Sequence, residues 1–82
     1  MIIVNMKVPA LEKEYNFSLD ENAPTEELIE EIAEMIVQKE GVQFSGNMDE
    51  MILCSLDSGF QCERQSCLSN YGICDGAELI LV

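Results

Sequence analysis

Cys54, Cys62, Cys67 and Cys74 are the residues of this 82-residue sequence whose type could carry chemistry, and their spacing decides which. The gaps are C-x7-C, C-x4-C and C-x6-C. A structural zinc site pairs its ligands at short spacing, as in C-x2-C, and often adds histidine. This sequence holds no such pair and no His. A nucleophilic cysteine needs a neighbour that lowers its pKa, and Arg64 is the one cation near any of the four in sequence. The thiols therefore read as reduced small hydrophobes or half-exposed residues, with Cys62 and Cys54 expected to be buried. Neither a metal nor a cofactor is expected.

Other chemistry is equally thin. The missing His removes the commonest general base, and no Gly-rich phosphate loop is present. Sixteen acidic side chains against four basic ones give a formal charge of −12, so chance carboxylate pairs carry no catalytic meaning. Phosphate backbones are repelled by such a surface, which argues against nucleic acid as a partner. Anionic lipid is disfavoured for the same reason, and no stretch approaches the length of a membrane span. The apolar start is broken by Asn5 and Lys7, unlike a signal peptide. The expectation is a single non-enzymatic domain over residues 1–82, soluble and cytoplasmic. Its charge serves solubility or attracts a basic protein surface.

The elements that would position a binding surface can be read from periodicity. Residues 2–8 alternate, with Ile2, Val4, Met6 and Val8 inward and Ile3, Asn5 and Lys7 outward. Residues 13–19 alternate again, with Tyr15, Phe17 and Leu19 inward. Pro9-Ala10-Leu11-Glu12 lacks the signature of a two-residue hairpin, so a longer turn should join these strands. Pro24-Thr25 opens a helix, Pro being tolerated in the first turn. Leu28, Ile29, Ile32, Met35 and Ile36 form its buried stripe, and Gly41 ends it as a left-handed cap. Its solvent side carries Glu26, Glu27, Glu30, Glu31 and Glu34, a ridge of like charges at i, i+4 spacing.

Residues 42–50 read as an irregular loop anchored by Phe44. Residues 51–56 return to strand, with Ile52, Cys54 and Leu56 expected inward and Met51, Leu53 and Ser55 outward. A turn at Asp57-Ser58-Gly59 leads to a short strand over 60–63 with Cys62 inward. A turn or 3₁₀ segment over 68–71 precedes the last strand, which turns Leu79 and Leu81 inward. Two strands, a helix, two strands and a final strand make an α+β arrangement, with one helix on one face of a mixed four- to five-stranded sheet.

Leu68-Ser69-Asn70-Tyr71-Gly72-Ile73, followed by Leu79 and Leu81, resembles the closing segment of ubiquitin-like proteins. The form Gly72-Ile73-Cys74-Asp75-Gly76-Ala77-Glu78-Leu79 is similar to a bacterial branch, the YukD/EsaB-like ubiquitin-like proteins of type VII secretion systems. The resemblance implies a ubiquitin-like β-grasp, whose first and last strands run parallel at the sheet centre. It also implies a cytosolic accessory or regulatory component of a secretion machine, with membrane or ATPase components as partners. The alternative is a free-standing β-grasp adaptor or complex subunit unrelated to secretion. Modifiers and sulfur carriers of this fold act through a C-terminal Gly-Gly tail. Here the sequence runs to Leu81-Val82, and that chemistry is not expected.

One surface remains as a partner site. Ile3, Met51, Leu53, Ile80 and Val82 fall on the parity that points away from the helix, where a solvated sheet face would be polar. If their strands are neighbours they form one apolar patch, the usual mark of a protein-binding site. Self-association through the same face is a second outcome such a patch allows, and a loop over 41–50 folded across it would bury it.

Overall fold

A computed structural model of the chain describes residues 1–41 and 50–82; the expected Phe44 anchor lies outside them. Strand β1 (Ile2–Val8) buries Ile2, Val4, Met6 and Val8, as its alternation requires. A 3₁₀ turn over Pro9–Leu11 follows, closed by Glu12 in the left-handed region at φ 54°. Strand β2 (Lys13–Leu19) then pairs antiparallel with β1 along its whole length. It buries Tyr15 and Leu19, with Phe17 partly buried against the same core.

Helix α1 (Thr25–Glu40) begins one residue after Pro24, which stands at the cap position rather than inside the first turn. The Pro24 carbonyl accepts from the N–H groups of Glu27 and Leu28. Thr25 is fully buried, but its hydroxyl and its N–H both donate to the Ser66 carbonyl, at 2.6 and 2.8 Å, which offsets its desolvation. Leu28, Ile29, Ile32 and Ile36 are buried as expected, whereas Met35 is half-buried and Ala33 takes a core position instead. Helical geometry explains the exchange. Residue 33 lies four after 29 and three before 36, while residue 35 is rotated about 100° from residue 36.

Gly41 caps the helix at φ 67°, its N–H donating to the Val37 carbonyl at 2.9 Å. A Cβ built there would meet nothing within 4 Å. Gly41→Ala should therefore cost about 1 kcal/mol from backbone conformation alone, measured by urea denaturation.

Strands β3 (Leu53–Ser55), β4 (Gln61–Cys62) and β5 (Glu78–Leu81) complete a five-stranded sheet of order β2-β1-β5-β3-β4. Its middle pair, β1 and β5, is parallel, with Met6 beside Leu79, and its other neighbours are antiparallel. The arrangement is α+β, with the first and last strands central. One buried cluster joins the helix stripe to the inward residues of all five strands, with Leu68 and Ile73 closing one end.

The third strand reverses the expected register. Leu53 has no exposed surface and Ser55 only 3 %, whereas Cys54 is half-buried and Leu56 is 42 % exposed. Pairing with β5 sets this outcome. Leu53 sits beside Leu81 and Ser55 beside Leu79, both core residues, while Cys54 sits beside Ile80. Directly paired residues share a sheet face, so Leu53 and Ser55 must point at the helix. The inward hydroxyl is not orphaned, because Ser55 Oγ accepts the Ser58 N–H at 3.3 Å in the turn toward β4. Cys54 is accordingly less buried than expected, and Cys62 alone of the four thiols lies in the core. Burial pushes the Cys62 thiol up from its ordinary pKa.

Candidate functional site: the sheet face without a helix

The register that moves Leu53 inward moves others outward. Ile52 and Val82 exchange both backbone hydrogen bonds, 2.6 and 2.9 Å, one step beyond the pair Cys54 and Ile80. These four residues form a strip two strands wide on the face away from α1. Its members range from half-buried to 54 % exposed at Val82.

Beside Ile80 the row continues through Lys7 to Glu14, whose charged atoms are 3.7 Å apart. Glu78 lies two residues before Ile80 on the same face. A shallow depression of about 350 Å³ opens between Ile80 and the first hairpin turn, lined also by Lys7, Pro9, Glu12, Lys13 and Glu14.

Of the five residues expected to make one patch, the structure brings two together. Ile80 and Val82 are on this face. Leu53 is in the core, and Met51 is half-buried against it. Ile3 is exposed but stands at the other end of β1, its carbonyl accepting the Gly76 N–H at 2.8 Å. Lys7 is the residue beside Ile80, so Ile3 lies about 13 Å further along, with Asn5 and Glu78 between them. The five do not form one contiguous surface. Ile52 and Cys54 complete the strip instead, and only the pairing with β5 identifies them.

Two other features are structural by their contacts. A depression of about 260 Å³ lies between the 55–58 turn and the 72–77 segment, with Asp57 and Asp75 among its lining. Asp57 accepts the Glu78 N–H at 3.0 Å and Asp75 the Ile3 N–H at 2.8 Å, so both carboxylates tie turns to the sheet. At the far end of α1, Glu40 accepts from Lys13 Nζ at 2.6 Å and from the Tyr15 hydroxyl at 2.8 Å. Lys39 covers the Tyr15 ring at 5.3 Å.

These contacts shift three pKa values. The Lys13 ammonium, then the Tyr15 hydroxyl, hold Glu40 below the usual carboxylate range. Lys13 is raised, chiefly by its hydrogen bond to Glu40, and Tyr15 is raised first by desolvation. The signs oppose. The Glu40 contribution is complete above the unfolded carboxylate value and disappears as pH falls through the folded one. The Lys13 and Tyr15 contributions disappear as pH rises through theirs. Glu40→Gln should flatten the loss of stability as pH falls below the ordinary glutamate range, read by urea denaturation at stepped pH and low salt.

The acidic ridge Glu26, Glu27, Glu30, Glu31 and Glu34 is exposed on the side of α1 away from the sheet. None of the five makes an ion pair among the described residues. Among the described residues no three His, Cys, Asp or Glu side chains gather as a metal site, and no helix is long and apolar enough to cross a membrane.

A helix on one face of a mixed sheet of this order is the ubiquitin-like β-grasp, and solved structures agree. The chain is similar to the ubiquitin-like domain of the Arabidopsis thaliana protein At2g32350, at 23 % identity and a TM-score of 0.72 over 99 % of this chain and 74 % of that one. It is similar to the N-terminal ubiquitin-like domain in the 4931431F19Rik protein, at 26 % identity and 0.70, covering 99 % and 72 %. The structure of ATBAG1 in complex with HSP70 matches at 20 % identity and 0.68, covering all of this chain and 40 % of that one. No family model matches the sequence, and no curated protein matches it significantly.

Proposed function

We propose that the chain is a non-enzymatic, cytoplasmic protein-binding module that acts through the helix-free face of its sheet. The observation that carries this is the strip of Ile52, Cys54, Ile80 and Val82, held partly open on a face where water would favour polar residues. The ubiquitin-like domains it resembles in fold give the same class of reading.

The test is Ile52→Asp with Ile80→Asp. Both side chains leave the core untouched, so the double variant should keep its circular dichroism and lose its partners in pull-down. A folded variant that retains every partner defeats the proposal.

Within this class, the finer reading is an accessory or regulatory component of a type VII secretion system. Its support is the segment Gly72-Ile73-Cys74-Asp75-Gly76-Ala77-Glu78-Leu79, similar to the YukD/EsaB-like branch. Deleting the gene should then reduce export of small helical substrates. Unchanged export favours the second reading, an adaptor outside secretion. That reading draws support from the structural neighbours, whose ubiquitin-like folds are parts of longer chains.

A further inference from the structure

We propose that the occupant of this sheet face is a cationic amphipathic helix of another protein, a reading that rests on the face being the binding surface. The place of the strip in the sheet excludes an added strand. Both β5 and β3 have neighbours on each side, so the strip offers side chains but no free backbone edge. Beside β5 it extends from Ile52, paired with Val82, past β3 to the exposed Leu56, whose N–H donates to the Glu78 carbonyl at 2.9 Å, a span of about 13 Å at strand rise. A helix covers that length in about nine residues, presenting apolar side chains at i, i+4 and i+7.

Charge selects the partner's sign. Among the described residues Glu14 and Glu78 lie on the same face, Glu12 lines the depression at its rim, and Lys7 already sits 3.7 Å from Glu14. Lys13, at the rim of the depression beside Ile80, is held by Glu40 on the helix side at 2.6 Å. Glu12 and Glu78 make no ion pair among the described residues. The depression can therefore take the aliphatic stem of a Lys or Arg lying against Ile80, with its charge among these carboxylates. The net charge of −12 adds an attractive field of the same sign at longer range. A second copy of the chain is a poor occupant for the same reason, since it would bring carboxylates against carboxylates.

The experiment uses the ¹⁵N-labelled chain and three synthetic helices of about 18 residues, Leu/Lys, Leu/Gln and Leu/Glu, identical in their apolar stripe. The Leu/Lys helix should shift the amides of residues 52–56 and 78–82, and its affinity should fall about ten-fold from roughly 50 to 200 mM salt. Glu12→Gln, Glu14→Gln and Glu78→Gln together should weaken it about five-fold and flatten that salt dependence. Leu/Glu should not bind.

Equal binding of all three helices at the sheet face would overturn the charge assignment and leave the face itself as the binding surface. Shifts confined to residues 26–34 would place cationic partners on the helix ridge and overturn the proposal. Shifts of the sheet face with protein concentration alone would make a second copy the occupant. No shift of that face by any helix would count against both this inference and the binding surface beneath it.

Discussion

Leu53→Asp should unfold the chain, and Cys54→Asp, one residue further on, should leave it folded. Leu53 has no solvent exposure and faces the helix beside Leu81. A carboxylate there meets only apolar neighbours, at a cost of several kcal/mol whether it ionises or takes up a proton. A domain of this size has roughly 4–12 kcal/mol to lose. Cys54 lies on the open face, where a carboxylate keeps its water. Thermal melts followed by circular dichroism separate the two variants, and the opposite result would restore the register with even-numbered residues inward.

The second large effect belongs to the contact between helix and sheet. Ile32 and Leu79 are both fully buried in the one cluster, from α1 and β5 respectively. Ile32→Ala and Leu79→Ala should each cost about 2–5 kcal/mol, the usual range when a buried branched side chain leaves a cavity. Urea denaturation measures both. Losses below about half a kcal/mol at both sites would remove these residues from the core.

The fold was legible wherever one parity was apolar and the other polar. In β1, Asn5 and Lys7 mark the outer face against Val4 and Met6, and the two glutamates opening α1 mark its first turn. Residues 51–56 offer no such contrast, because Met51, Ile52, Leu53, Cys54 and Leu56 occupy both parities. Ser55, the one polar residue among them, is buried beside Leu79, where the turn toward β4 satisfies its hydroxyl. Local pattern pointed outward where long-range pairing with β5 pointed inward, and the pairing prevailed. The candidate site inherited that error. Ile80 and Val82 follow from alternation in β5, but Ile52 and Cys54 depend on a register no local pattern contains. The separation of Ile3 from Ile80 is likewise a property of the parallel pairing. The central position of β1 and β5 came from resemblance, not periodicity.

That central pairing also governs when the protein can exist. Residues 5–7 are hydrogen-bonded neighbours of residues 78–80, so the middle of the sheet is assembled from opposite ends of the described chain. A nascent chain leaving the ribosome can form the first hairpin and the helix early, yet both must wait with their apolar faces uncovered until β5 emerges. Closing so long a loop is unfavourable until the strand is in place. Synthesis interrupted anywhere before residue 78 therefore leaves a sticky, protease-sensitive fragment rather than a smaller domain, and a chaperone at the exit tunnel would meet the hairpin and helix with their apolar faces uncovered until β5 emerges.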